Sequence, residues 1–145
     1  MSAAQLALVS AGSFFLVGLV TGAWKYWQIA SSEEARAHYY VDIAHRASLM
    51  YAFACLLLER FASLSVWSEA VNFWAVAASV IFFALAVASY VLHGFLRDTR
   101  NQLRRPHQIG PMTLPNILMT AFMAALIIAE IGGAAVLFVG YLKGI

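Results

Sequence analysis

Five side chains fall where a hydrophobic sequence would have to justify them: His45, Arg46, Glu59, His93 and Glu130. Each sits inside or at the edge of a long apolar run, where an ionisable group costs about 2.5–3.5 kcal/mol on insertion scales. Arg46, Glu59 and Arg60 lie close enough to the ends of their runs to reach headgroups. His45 shares a stripe with Ser48, Leu49, Ala52 and Leu56, small or apolar beyond the imidazole. A neutral imidazole beside such a slot suits a haem iron and its flat macrocycle. The same residue also reads as a hydrogen-bonded interfacial histidine. Tyr90 and His93 follow one turn apart in the next run. Tyr90 could orient a substrate oxygen or deliver a proton, or serve as an interface anchor. His93 could supply a second iron ligand or face headgroups. Glu130 precedes Gly132 and Gly133 in the last run. It reads as a neutral acid hydrogen-bonded across a helix interface, with a proton relay as the second possibility.

The elements that must hold these groups follow from composition. Of the 145 residues, 63% are hydrophobic and 11% charged, with mean hydropathy +0.78. A soluble domain carries roughly 45–50% apolar and about 25% charged residues. A soluble domain and a disordered chain are both excluded, the second because aromatics reach 14%. A helix needs about 20 apolar residues to cross the hydrocarbon layer. The runs predict four spanning helices, at about 6–29, 43–61, 71–96 and 115–142. They form one all-α integral membrane domain, a four-helix bundle over residues 1–145. The runs are continuous, unlike the alternating segments of a barrel. Gly18 and Gly22 leave a smooth face on the first helix for close packing. Ser32 to Ala35 suggest a short helical lead-in to the second, and Pro115 suits the first turn of the fourth. Cys55 is the single cysteine, so no intrachain disulfide forms. No glycine-rich phosphate loop, zinc signature or serine-nucleophile elbow is present.

Charge sets the orientation. Lys25, Arg36, Arg46, Arg97, Arg100, Arg104 and Arg105 belong to one side, and only Arg60 and Lys143 to the other. The positive-inside rule then predicts both termini outside and the 97–105 loop in the cytoplasm of a bacterial-type inner membrane. The same loop could touch anionic lipid. No aromatics are interleaved with its arginines, which argues against nucleic acid.

Three stretches carry a family likeness. They are Ala35-Arg36-Ala37-His38 followed by Ala44 to Met50, Ala88 to Phe95, and Gln108-Ile109-Gly110-Pro111. In one colinear order over most of the chain, they resemble the second helix, third-helix end and last turn of the styrene oxide isomerase and hydroxylaminobenzene mutase-like family. The resemblance implies a homotrimer of four-helix subunits that binds haem b, with His45 as the axial ligand of ferric iron. It implies that the iron acts as a Lewis acid on an epoxide, which rearranges to an aldehyde by a 1,2-hydride shift. Tyr90 would position the substrate. Tyr51 stands where that isomerase has an asparagine, and Phe82 where it has an aspartate. The implied pocket is therefore more aromatic, with Tyr51 among its catalytic side chains. A non-catalytic b-type cytochrome or haem sensor and a structural membrane subunit are the competing readings.

Overall fold

The computed structural model describes residues 1–145. Four helices account for most of the chain: α1 (Ala3–Ala30), α2 (Tyr39–Leu64), α3 (Glu69–Leu96) and α4 (Asn116–Leu142). Each is long and apolar enough to cross a membrane, so the chain is a multi-pass membrane protein with an all-α fold. The predicted spans are recovered: α1, α2 and α3 overrun their apolar runs by a few residues, and α4 begins one residue inside its own. Between α3 and α4 lies a small hairpin, β1 (His107–Ile109) and β2 (Met112–Leu114), paired antiparallel with Ile109 opposite Met112. Gly110 adopts φ 56° at its turn, a conformation that favours glycine.

Local chemistry sets the ends. Ser2 and Gln5 form a reciprocal capping box at the start of α1. The helical lead-in expected from Ser32 does not form. The chain there makes turns and extended backbone, with Ala35 in the left-handed region (φ 50°), so the segment cannot continue a right-handed helix. Pro115 is the N-cap of α4, one position before the first turn; its extended backbone and missing N–H serve equally well there.

The helices pack unevenly. α1 and α2 meet along their whole length through small side chains, chiefly Ala7, Ala11 and Gly18 on one and Ala44, Ser48 and Ala52 on the other. α3 adds Val76, Ser79, Phe83 and Val87 to the centre of the bundle. α4 buries only Gly133, Leu137 and Gly140, all in its second half. There a Cβ on Gly133 would stand 2.5 Å from the Ala75 carbonyl oxygen, so the missing side chain allows the close approach to α3. Trp67 donates its indole N–H to the Val136 carbonyl at 2.9 Å and fixes the same end. The first half of α4, up to Ile131, has no buried residue.

Candidate functional site

His45 lies in the seam between α1 and α2. Its Nδ1 is 2.8 Å from the Gly18 carbonyl oxygen, and a Cβ on Gly22 would stand 2.9 Å from the ring. The Gly18 and Gly22 spacing therefore serves the imidazole as well as the backbone approach. With Nδ1–H donated to a carbonyl, the lone pair resides on Nε2, the arrangement that fixes a ligating histidine. The apolar stripe beside His45 divides. Ser48 and Ala52 are buried against α1, and Leu49 packs over Gly18. Leu56 instead lines an open apolar groove of about 320 Å³, together with Ala11, Gly12, Phe15, Ala52 and Phe53. Ala52 is two turns, about 10 Å, along α2 from His45.

Tyr51 turns from that seam towards α3. Its ring stacks on Phe83 of α3 (centroids 4.1 Å apart, 16° between planes) and leans on Phe14 of α1 at 6.0 Å. Tyr90 stands two turns along α3 from Phe83, with its ring against Tyr40 at 6.0 Å, and Glu130 of α4 follows Ala129, whose carbonyl lies beside the Ser79 hydroxyl. Neither the Tyr51 nor the Tyr90 phenol is hydrogen-bonded within the chain. Glu130 Oε1 is buried without a partner, so the cross-helix hydrogen bond expected for this acid is absent. Phe82 is turned to Phe122 of α4, centroids 5.8 Å apart. Tyr51 and Tyr90 both face the centre of the bundle but do not touch, and Tyr51 lies about 120° around α2 from His45.

The basic end is organised by His93 together with residues that hydropathy and family likeness passed over, Asp98, Tyr40 and Asp42. His93 is buried, and its Nδ1 meets Asp98 Oδ1 at 2.7 Å, so it holds a loop carboxylate and does not face headgroups. Asp98 Oδ2 accepts the Gly110 N–H at 2.6 Å, which folds the hairpin back onto α3. Burial pushes the Asp98 carboxyl up, but the Gly110 and His93 hydrogen bonds outweigh it and hold the group below its ordinary value. Tyr40 accepts the Gln102 N–H through its hydroxyl and sets its ring against His93 (5.2 Å) and Tyr90 (6.0 Å). Asp42 in the first turn of α2 takes both Lys25 (2.6 Å) and Arg46 (2.7 Å). An acid in a first helical turn among basic neighbours was the available signal for Asp42. Asp98 carried none, since its partners are set by the left-handed turn at Arg97 (φ 51°).

Nowhere do three His, Cys, Asp or Glu side chains converge as ligands for a bare metal ion. No family model, curated protein or solved structure matches the chain.

Proposed function

We propose that the protein is a haem b-dependent membrane isomerase, with His45 as the axial ligand and an epoxide as substrate. The observation that carries the reading is the Nδ1 contact of His45 with the Gly18 carbonyl. It leaves one imidazole nitrogen free and oriented, two turns along α2 from the apolar groove on the same seam. A single protein nitrogen suits a macrocycle that brings four of its own.

Bound ferric haem would supply a Lewis acid that polarises an epoxide C–O bond with no change of redox state. The chain's own groups do the rest. Gly18 and Gly22 fix the tautomer and plane of the His45 ring. Tyr90, with no partner inside the chain, donates its O–H to the substrate oxygen as charge develops there. Tyr51, held flat on Phe83, forms a rigid wall and offers a second hydroxyl. Phe14, Phe82 and Phe83 keep water from the opening ring, so the carbon centre takes a neighbouring hydride and not a hydroxyl. The epoxide becomes an aldehyde with no atom gained or lost. Tyr51 lies about 120° around α2 from His45, and in the homotrimer that the family resemblance implies, neighbouring copies would bring the two groups to one substrate. The distribution of Lys and Arg supports both termini outside, in a bacterial-type inner membrane.

An absorption spectrum of the purified protein tests the reading. A Soret band should be present and should vanish in His45→Ala, while His93→Ala and His107→Ala keep it. Ferric protein with a panel of aryl and alkyl epoxides should yield the matching aldehydes without NADH or flavin. Tyr90→Phe should lower that turnover by roughly 10²–10³ and leave the spectrum unchanged. Absence of the Soret band leaves a structural membrane subunit. A loaded but inert, six-coordinate protein is a cytochrome or haem sensor.

A further inference from the structure

At the basic end a polar cavity of about 550 Å³ opens between the α1–α2 loop and the end of α3. We propose that it is a binding site for a phosphate-bearing anion, gripped by Arg36, Arg97 and Arg100. The volume falls in the range of small-ligand sites. Glu34 is the one acid among the lining residues, against these three arginines. The chain's ion pairs join Asp42 to Lys25 and Arg46, and Asp98 to His93, so none of the three guanidinium groups is neutralised internally.

The arginines come from two separate segments. Arg36 belongs to the loop before α2, and Arg97 and Arg100 follow α3. Arg97 ends α3 in the left-handed conformation that glycine ordinarily takes at this position, yet it carries a long cationic side chain into the cavity wall. The floor is fixed by Gln28, buried on α1, whose amide oxygen accepts the His38 N–H at 2.8 Å. The His38 imidazole also lines the cavity. Burial, then the charges of Arg97 and Arg100, hold it below its ordinary value, against the opposing pull of Asp98. A positive field of this kind is what a fork of guanidinium donors presents to a phosphate. Trp27 and Tyr39 stand exposed at the rim, at the level where aromatic side chains meet headgroups.

The phosphate could belong to an anionic phospholipid or to a soluble phosphate ester, and one experiment separates the two. Full-length protein in detergent is offered phosphatidylglycerol or phosphatidylcholine and read by native mass spectrometry. Parallel samples are titrated with inorganic phosphate and glycerol phosphate and read by thermal melting. Preferential retention of phosphatidylglycerol assigns the site to a lipid headgroup. Stabilisation by the soluble phosphates, with no lipid preference, assigns it to a soluble ester. In either case R36Q/R97Q should weaken binding roughly 30-fold. R104Q/R105Q removes the same charge outside the cavity and should change it less than about threefold. If the glutamine pair fails to fold, R36K/R97K keeps the charge, loses the planar fork, and should still weaken binding about fivefold. No preference for any phosphate probe, or equal losses in the cavity and control pairs, overturns the proposal.

Discussion

The α1–α2 pair and the α3–α4 pair are built on opposite principles. α1 and α2 touch along their length, and their buried hydroxyls are internally satisfied: Thr21 donates to the Val17 carbonyl at 2.7 Å and Ser48 to the Ala44 carbonyl at 2.7 Å. α3 and α4 touch closely at one end, around Gly133 and Trp67. Towards the other end they are tied by the hairpin that Asp98 clamps. Between the two ties lies Glu130, whose Oε1 is buried without a partner. The first pair holds its polar group, His45, in one orientation. The second leaves this carboxyl free for something else to meet. A rigid scaffold beside a loosely packed, unsatisfied region is how stability and a binding site are reconciled in one small chain.

The clamp is where the second pair is easiest to break. Asp98→Ala leaves the buried His93 Nδ1 and the Gly110 N–H without their shared partner. A cost of about 3 kcal/mol is expected, since hydrogen bonds to a charged group are the stronger kind. Hydrogen exchange at residues 107–114 should rise sharply, with little change in the α1–α2 seam. Acid should mimic the substitution. The folded Asp98 carboxyl sits below its ordinary value, so its stabilisation is complete above about pH 4 and lost as the pH falls through the lowered value. Hairpin exchange that is independent of pH between about 5 and 2 would remove Asp98 from this role.

Two glycines sharpen the contrast with smaller effects. Gly133→Val drives a side chain into the Ala75 backbone carbonyl and the Ser79 hydroxyl, each 2.5 Å from the first added carbon. Backbone cannot swing aside, so about 1–3 kcal/mol is expected, with α4 displaced from α3. Gly18→Ala meets the Cδ2 of Leu49 at 2.6 Å, the far end of a flexible side chain. Leu49 can turn away, and the loss should be below about 1 kcal/mol. Thermal melting in one detergent compares the two directly; a larger loss for Gly18→Ala would reverse the ranking of the contacts.

How much of this was legible follows from which forces act. Hydropathy is a property of consecutive residues, so the four spans could be read in order, while the turn at Gln108–Pro111 was read only through the family resemblance. The seam glycines were visible as a spacing, but not that they cradle His45, because that depends on the rotation of α2 about its axis. The partner of His93 is five residues away across a left-handed C-cap, outside any helical periodicity. Glu130 was expected to find a partner because most buried acids do. It has none because no donor from a neighbouring helix reaches its buried Oε1.

That unsatisfied acid gives the smallest effect and the most telling one. Glu130→Gln keeps the shape of the side chain and removes the ionisable group. Where a carboxyl helps to hold a fold, as at Asp98, its replacement costs stability because its partners are left unpaired. Glu130 has no partner to leave, since its Oε1 is buried with nothing to accept from. The change in stability should therefore lie within about 0.5 kcal/mol of zero, or be slightly favourable. Function should respond differently from stability. If Tyr51, Tyr90 and Glu130 together face a bound molecule, the glutamine variant melts like the parent and yet binds or turns over that molecule less well. A loss of stability as large as that of Asp98→Ala would mean that Glu130 is tied into the packing of α4, and the contrast between the two helix pairs would fail at its centre.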